Sequence, residues 1–282
     1  MSNETKAWWR DRATAAAHHA AGCEVSLNPV ELGNPCARYA RLELSGMDGE
    51  PICARLVVPA GEGPHPATLM FHDANRGVRG WHHMTRFVAL GRAVVALQNR
   101  AGTEAILAPE PLAVGDGLGV AVRVPTCPEP PAAGRELSAA AAQAFEATLS
   151  DALVLASALP RVAGLDADDV ITWGEGLGAG LALAVAALTG AHAACALNPL
   201  PAALGEASAR CDVALVARGL ACPVLMGSCG LDLQASPLAQ DAVAAGLQDV
   251  RRIVYPRYGH ERVNAFEDEM LSFLVSLEGG RP

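Results

Sequence analysis

Residues 170–189 of the chain read VITWGEGLGAGLALAVAALT. The first four are β-branched or aromatic and predict a buried strand, while the apolar run from Leu181 to Thr189 predicts a buried helix. Three closely spaced glycines, Gly174, Gly176 and Gly178, stand at the junction. Glycine adopts backbone conformations that other residues resist. The stretch therefore predicts a strand that turns abruptly into a helix, with Gly176 at the turn.

Strand and helix patterns alternate on both sides of this stretch, which is typical of an α/β sheet. Predicted strands cover residues 38–45, 51–58, 66–71, 93–97, 170–173, 192–197, 223–228 and 251–256, and predicted helices cover residues 4–21, 81–91, 138–159, 181–189, 212–219, 237–247 and 261–277. The turn at residues 46–49 joins the first two strands as an antiparallel hairpin. We predict a mostly parallel twisted sheet flanked by helices, formed by a single domain over residues 36–282. Residues 1–35 are predicted to be a helical extension packed on that domain.

Composition narrows the class of protein. The chain has 282 residues, 51% of them apolar, and its formal net charge is 21 − 30 = −9. Such a chain is expected to fold rather than stay disordered, and the acidic balance argues against a nucleic-acid partner. None of the eight cysteines forms a C-x-x-C pair, and no secretion signal or membrane span is evident. We therefore expect reduced thiols, a cytoplasmic location and no metal.

Two residues after later strands complete a candidate catalytic arrangement with the turn. Asp232 follows the strand at residues 223–228, and His260 follows the strand at residues 251–256. Turn residue, acid and then histidine is the chain order of α/β-hydrolases, whose turn reads G-x-S-x-G. The acid would orient the imidazole, and the imidazole would move protons during acyl transfer.

Longer segments extend this similarity to most of the chain. The segments are ATLMFHDAN, ALGRAVVALQNRAG, DDVITWGEGLGAGLALA, LACPVLMGSCGLDLQASP and IVYPRYGHERVNAFEDEMLSFL, which occur in order within residues 38–277. With them the chain resembles the carbohydrate-esterase family of acetylxylan esterases and cephalosporin-C deacetylases. The resemblance implies an α/β-hydrolase fold, deacetylation of small carboxylic esters, and no metal or organic cofactor. It also implies that Asp232 and His260 are the acid and the histidine, and that Arg100 is the arginine of an R-G-Q element.

The chain departs from this family at the positions that carry the chemistry. The family's turn reads G-x-S-Q-G-G, whereas Gly176 stands at the serine position and Leu177 at the glutamine position. The family's H-G-tyrosine element reads His72-Asp73-Ala74 here, so the tyrosine that helps form the oxyanion hole is absent. We expect Leu177, Asp73, Ala74 and Arg100 to line the oxyanion side of the pocket.

Glycine has no side chain that can be acylated, so covalent catalysis at Gly176 is impossible. The sequence therefore predicts an esterase-like protein that is inactive or much weakened by the triad route. Such a protein would act as a pseudoenzyme that binds a ligand or a partner. A small ester or an acylated sugar is the expected ligand, and neither a nucleic acid nor a membrane is an expected partner. Residues 199–211 are short where the family carries an insertion used in oligomer contacts, so we do not expect the family's hexamer and leave the oligomeric state open.

Several alternatives stay open at this stage. The first is an active ester hydrolase that uses a water activated by His260 and Asp232 above Gly176, or an unrecognised nucleophile. Ser228 and Cys229 lie near Asp232, but neither follows a G-x-S-x-G turn, and a packed thiol is the favoured interpretation of Cys229. A remote alternative is a dinucleotide site at Gly174-x-Gly176-x-x-Ala179, although the acidic residue that such a motif needs about 20 positions later is missing. Finally, Trp8 and Trp9 would dock the N-terminal helix or form a partner surface.

Overall fold

A computed structural model describes residues 2–74, 76–107 and 134–279 of the chain. Its strands are β1 (Ser26–Val30), β2 (Ala37–Ser45), β3 (Pro51–Pro59), β4 (His65–Phe71), β5 (Ala93–Leu97), β6 (Leu165–Glu175), β7 (Ala193–Leu197), β8 (Val224–Cys229) and β9 (Val250–Tyr255). Its α-helices are α1 (Asn3–Gly22), α2 (Trp81–Thr85), α3 (Ala139–Ala158), α4 (Leu177–Thr189), α5 (Val213–Val216), α6 (Pro237–Gly246) and α7 (Asn264–Gly279).

These strands form one sheet in the order β1-β2-β3-β5-β4-β6-β7-β8-β9. The strands β1, β2, β3 and β5 pair antiparallel, and every pair from β5 through β4 to β9 is parallel. The predicted α/β-hydrolase architecture, with an antiparallel N-terminal hairpin and a mostly parallel sheet, is confirmed. Because parallel strands end at one edge, the segments after β4, β6, β8 and β9 meet there, which is where open α/β sheets bind ligands.

Apolar layers cover both faces of the sheet. Successive residues of β5 illustrate the alternation, since Val95 joins the layer beneath α3 and α4 whereas Val94 and Ala96 join the layer beneath α7. On the second face Trp173 of β6 packs on Phe266 of α7 with 5.6 Å between ring centroids. Side chains of a strand point alternately to opposite faces, so each strand of this central part contributes to both layers.

Helix α4 follows directly from β6 and is deeply buried. Its residues from Leu177 to Ala186 are all buried. It ends at Gly190, whose φ of 73° is a left-handed conformation that favours glycine. Across residues 2–74, 76–107 and 134–279, no helix combines the length and the apolar character needed to cross a membrane.

The N-terminal helix α1 packs on α3. Trp9 is buried and meets Phe145 edge-on at 6.2 Å between ring centroids. Trp8 lies beside it, with the Arg12 guanidinium 4.9 Å above the ring. The two tryptophans thus hold α1 against the body of the chain. After α1, β1 joins the sheet as its edge strand.

The structure differs from the sequence expectations at a few elements. Strand β1 was not expected, because its Pro29 weakens the strand pattern, yet a proline is tolerated in an edge strand. The helix expected over residues 81–91 is an α-helix to Thr85 and then a 3₁₀ turn over Arg86–Leu90, a tightening that is common at helix ends. Of the loop expected over residues 101–136, residues 108–133 lie outside the described part of the chain.

Candidate active site

The turn between β6 and α4 consists of a single residue, Gly176. Its φ of 54° and ψ of −120° lie in a region that residues with a side chain rarely adopt. Its N–H donates to the Leu197 carbonyl at 2.9 Å, which ties the turn to the end of β7. Two residues later, a Cβ on Gly178 would lie 2.3 Å from the Phe71 carbonyl oxygen, so close packing against β4 also requires glycine there. The abrupt strand-to-helix turn predicted from the glycine spacing is therefore present.

Asp232 and His260 lie together at the same edge of the sheet. The Nδ1 atom of His260 is 2.8 Å from Oδ2 of Asp232. The other oxygen of Asp232 accepts the backbone N–H groups of Gln234 and Ala235, each at 2.8 Å. The Asp232 side chain is fully buried, and that of His260 is 14% exposed. A carboxylate held in this way fixes the orientation of the imidazole and keeps Nδ1 protonated.

The space above Gly176 is filled by the carboxylate of Asp73. Its Oδ1 accepts the backbone N–H of Ala74 at 2.8 Å and that of Leu177 at 3.0 Å. Its Oδ2 lies 2.8 Å from Nε2 of His260. A Cβ built on Gly176 would lie 2.0 Å from Oδ1 of Asp73. A water above Gly176 would have to occupy the volume that this carboxylate already fills.

Asp73, His260 and Asp232 therefore form a continuous row of carboxylate, imidazole and carboxylate. Burial alone would lower the pKa of His260, but its hydrogen bonds to Asp232 and Asp73 outweigh burial and raise the pKa to about 9. For Asp73, burial alone would raise the pKa, and the hydrogen bonds from His260 and from the Leu177 and Ala74 N–H groups lower it below its ordinary value. At neutral pH His260 is thus an imidazolium that donates from both ring nitrogens.

Neighbouring groups hold the Asp73 segment in place. The Nδ2 atom of Asn99 donates to the backbone carbonyls of His72 and Asp73 at 3.0 and 2.9 Å. The hydroxyl of Thr103 donates to the Ala74 carbonyl at 2.8 Å. In addition, the N-terminal end of α4 points its positive dipole at the Asp73 carboxylate through Leu177. The carboxylate is anchored by its own loop and by the helix after the turn.

A cluster of arginines around the buried Glu175 lies beside the row. Glu175, the residue before the turn, accepts hydrogen bonds from Arg76 at 2.9 Å, from Arg262 at 3.3 Å, and from Arg79. Arg76 also donates to the backbone carbonyl of His260 at 3.1 Å, so the cluster supports the histidine segment. Sequence reasoning missed this cluster, because its members lie on segments far apart in the chain. The glutamate between Gly174 and Gly176 was the one available signal.

Two further arginine contacts extend this cluster towards α7. Arg79 and Arg86 both pair with Glu267. Burial lowers the pKa of Arg79 to about 10, although Glu267 raises it again in part. His72, near this cluster, is buried, and burial and then the charge of Arg79 lower its pKa to about 3. His72 is therefore a neutral side chain at the end of β4.

The remaining sequence candidates occupy different places. Arg100 pairs with Asp48 of the hairpin turn and with Asp151 of α3. It lines the same open groove as Ala74, but among the described residues its side chain bonds to Asp48 and Asp151 and not to Asp73 or His260. The structure thus brings Asp73, Leu177 and Ala74 to Gly176 and places Arg100 to one side.

Ser228 and Cys229 lie at the end of β8, two strands along the sheet from β6. Cys229 is buried, and burial raises the pKa of its thiol to about 11. The Ser228 hydroxyl accepts a hydrogen bond from Nε of Arg252 at 2.9 Å. Within the described part of the chain, neither side chain is hydrogen-bonded to His260, in keeping with the packed-thiol interpretation of Cys229.

The described residues offer no evident place for a metal or a dinucleotide. Among residues 2–74, 76–107 and 134–279, no group of three or more His, Cys, Asp or Glu side chains could hold a metal ion. A dinucleotide phosphate would need the N-terminus of α4, where the Leu177 N–H already donates to Asp73. Gly178 is also covered by the backbone at Phe71. The geometry therefore does not support the Gly174-x-Gly176-x-x-Ala179 interpretation.

Comparisons with known proteins agree with this architecture. The family model described as acetyl xylan esterase (AXE1) matches residues 2–201, which are 200 of the 282 residues. An acetyl xylan esterase from a Thermoanaerobacterium species shares 21% identity and a TM-score of 0.74, with 95% of this chain and 93% of that chain covered. An acetyl xylan esterase from a Paenibacillus species shares 17% identity and a TM-score of 0.77, with 98% and 95% covered.

A more distant structure shows how general the fold is. An S-formylglutathione hydrolase from Agrobacterium tumefaciens shares 14% identity and a TM-score of 0.57, with 87% of this chain and 98% of that chain covered. No curated protein sequence matches the chain. At these identities the structural similarities show the fold alone, and the family model carries the family assignment.

Proposed function

Because the chain belongs to the acetyl xylan esterase family, we propose that it has lost the serine route to acetyl-ester hydrolysis and acts as a pseudoenzyme towards that reaction. The observation that carries this proposal is the position of Asp73. Its carboxylate lies above Gly176, between the N-terminus of α4 and the imidazole of His260. The groups that an acyl-transfer reaction would need are therefore engaged with the protein itself.

Acyl transfer by this fold needs three free groups. It needs a nucleophilic side chain at the turn, and Gly176 has none. It needs a histidine Nε2 that can accept a proton, whereas Nε2 of His260 faces Asp73 at 2.8 Å. It also needs free backbone N–H donors for the substrate oxygen, and the Leu177 N–H is occupied by Oδ1 of Asp73.

The expected loss of rate is large. Removing the serine of such a triad lowers turnover by about 10⁶-fold, and removing one oxyanion donor lowers it by about 10²–10³-fold. A small ester or an acylated sugar would bind at this edge of the sheet with its carbonyl oxygen outside the occupied N–H donors. We propose binding without turnover as the function of the site towards such ligands.

Hydrolysis of a chromogenic acetyl ester tests this proposal. We expect the protein and its His260→Ala variant to hydrolyse p-nitrophenyl acetate equally slowly, because the imidazole has no lone pair to offer. His82→Ala is the matched control, since His82 is an exposed histidine on α2. Turnover that falls at least about tenfold in His260→Ala but not in His82→Ala would contradict the proposal.

An ester hydrolase that uses activated water is the second candidate from the sequence. Such a water would have to displace the carboxylate of Asp73, and His260 would have to give up its proton first. The geometry therefore favours the pseudoenzyme over the water route. It also raises the separate question of what a carboxylate in this position could do.

A further inference from the structure

We propose that Asp73 is a nucleophile for a different electrophile, and that the site opens epoxides by attack of Oδ2 on a saturated carbon, with His260 supplying the proton. This inference goes beyond the proposed function, because it concerns neither acetyl esters nor the missing serine. It rests on the two oxygens of one carboxylate, which the structure places in different surroundings. Carboxylates of aspartate are known to form covalent intermediates in enzymes.

Oδ1 and Oδ2 of Asp73 have different roles in this arrangement. Oδ1 accepts two backbone N–H groups, from Ala74 and Leu177, which is where this fold would hold a developing oxyanion. Among the described residues, Oδ2 accepts one hydrogen bond, from His260, and Nε of Arg76 lies 3.9 Å away. A carboxylate oxygen has two lone pairs, so Oδ2 retains one for attack. Oδ2 is therefore the nucleophilic oxygen and Oδ1 the oxygen that receives charge.

The occupied N–H donors indicate which kind of carbon can be attacked. An ester would need the Leu177 and Ala74 N–H groups for its own carbonyl oxygen, and Asp73 already holds them. A saturated carbon needs no such donors, because attack on it by Oδ2 creates no oxyanion on a carbonyl group of the substrate. After the attack Asp73 is itself an ester, and its carbonyl oxygen Oδ1 already lies between the two donors. The geometry thus suits alkylation of the enzyme followed by hydrolysis of the enzyme's own ester.

The protonation of His260 favours an epoxide over an alkyl halide. In the first step Oδ2 forms a bond to a ring carbon, the C–O bond of the ring breaks, and the released alkoxide takes the proton from Nε2. His260 becomes neutral, because the ester no longer carries the negative charge that held the proton. A halide leaves without taking a proton, so His260 would first have to pass its proton to water before it could act as a base.

The second step restores the starting state. Neutral His260 removes a proton from a water molecule, and the hydroxide adds to Cγ of Asp73 to give an oxyanion at Oδ1. Collapse breaks the Cγ–Oδ2 bond and expels the diol alkoxide, which takes the proton from His260. The proton left on the Asp73 carboxyl returns to His260, and the sum is epoxide plus water giving a diol. The diol carries away the original Oδ2 atom of Asp73, and the Asp73 carboxylate gains an oxygen atom from water.

Arg76 controls the approach to this carboxylate. The Asp73 side chain is 1% exposed, and the neighbouring Arg76 side chain is 22% exposed, with its Nε 3.9 Å from Oδ2. A substrate must therefore move Arg76 outward, and the displaced guanidinium then lies beside the opening ring oxygen. Its charge favours the alkoxide that forms there.

A single-turnover experiment in ¹⁸O-labelled water tests the proposal directly. The protein is mixed in excess over styrene oxide, and the peptide that contains Asp73 is then analysed by mass spectrometry. We expect diol formation, one ¹⁸O atom in the Asp73 peptide and an unlabelled oxygen in the first diol formed. Diol formation without label in that peptide, or no diol above the uncatalysed level, would overturn the proposal.

Three variants sharpen this experiment. Asp73→Asn should lower diol formation by about 10³-fold or more, as expected on loss of a nucleophile. His260→Gln removes both the proton donor of ring opening and the base of hydrolysis, so diol formation should fall by a similar factor, and Asp73 that is alkylated should keep the mass of the epoxide. Asp268→Asn, at an exposed position of α7, is the matched control and should behave as the unchanged protein. An Asp73→Asn variant as active as Asp268→Asn would also overturn the proposal.

Parallel substrates separate this inference from the proposed function. Bromide release from 1-bromobutane without opening of styrene oxide would overturn the assignment to epoxides. Hydrolysis of p-nitrophenyl acetate that depends on His260 would overturn the proposed function. The ¹⁸O experiment would still test the epoxide proposal independently. Each failure is therefore visible in a different assay.

Discussion

Returning a serine to the turn tests how closely Asp73 and Gly176 depend on each other. In Gly176→Ser the new Cβ would lie 2.0 Å from Oδ1, 2.4 Å from Cγ and 2.9 Å from Oδ2 of Asp73. These distances are far below van der Waals contact, and the opposing atoms belong to a carboxylate held by three hydrogen bonds. The serine therefore fits only if Asp73 leaves its site.

The magnitude of the effect follows from these contacts. Forcing extra atoms into a filled site costs about 1–3 kcal/mol, and a side chain at a φ of 54° costs about 1–3 kcal/mol more. We expect Gly176→Ser to lower the free energy of unfolding by about 2–6 kcal/mol. For a domain of this size the melting temperature should fall by roughly 5–20 °C. The variant should not gain acetyl esterase activity.

Removing the obstructing side chain should reverse both effects. In the double variant Asp73→Gly/Gly176→Ser the serine has space, and the Leu177 N–H and His260 Nε2 become free. We expect a coupling of at least about 2 kcal/mol between the two substitutions in a double-mutant cycle. Hydrolysis of p-nitrophenyl acetate should rise roughly 10²-fold over either single variant, because nucleophile and oxyanion donor return together.

The assay is thermal and denaturant unfolding of all four proteins, followed by ester turnover. Asp73→Gly alone should remain slow towards the ester, since it provides no nucleophile at the turn. If Gly176→Ser alone were as stable as the unchanged protein, or gained the activity by itself, Asp73 would not occupy the space above residue 176. That result would refute the reasoning.

Three further outcomes follow from the same contacts. First, the hydrogen bonds that His260 donates to Asp232 and Asp73 raise its pKa from 6.5 to about 9, so this stabilisation, about 3 kcal/mol, is fully present below pH 6.5 and is lost as the pH rises through 9. Denaturant unfolding between pH 6 and 10 measures it, and a flat profile would argue against the row. Second, Glu175→Gln should lower the free energy of unfolding by about 3–5 kcal/mol, because Arg79 is left buried with less compensating charge. Chemical unfolding measures this loss, and a loss below about 1 kcal/mol would contradict the prediction. Third, Gly178→Ala should lower the melting temperature by roughly 5–10 °C, since the new Cβ would lie 2.3 Å from a backbone carbonyl oxygen of β4. An unchanged melting temperature would show that the turn and β4 are not in close contact.

Much of the fold was accessible from the sequence because it depends on local patterns. The apolar runs of β4, β5, β7 and β8 are short and nearly continuous, as expected for buried parallel strands. The glycine spacing around Gly176 predicted the turn, and the order of Asp232 and His260 after two strands predicted their meeting at one edge. To predict these features, it is enough to know where each strand ends and in which direction the chain runs there.

The role of Asp73 could not be derived in the same way. The sequence places it in the pocket, but it does not show which way the side chain points after β4. One signal was available. After His72 an acidic residue replaces the family's glycine, and at residue 176 a glycine replaces the family's serine. The two exchanges are complementary in volume, and the structure shows that one side chain fills the space that the other position leaves.

The Arg79 and Glu175 contact illustrates a second limit. Its partners are 96 residues apart, and nothing in their local sequence specifies the pairing. Strand β1 was missed for a different reason. Pro29 removes a hydrogen-bond donor, and the pairing of β1 with β2 depends on the edge of the sheet at β2 being free.

The row of Asp73, His260 and Asp232 is the central claim, and the ring nitrogens of His260 report on it directly. Nitrogen-15 NMR of the histidines should show both nitrogens of His260 protonated at pH 7.5 and a titration near pH 9. In Asp73→Asn the titration should move towards 6.5, while Asp268→Asn should leave it unchanged. A His260 that titrates near 6.5 in the unchanged protein, and does not respond to Asp73→Asn, would contradict the account.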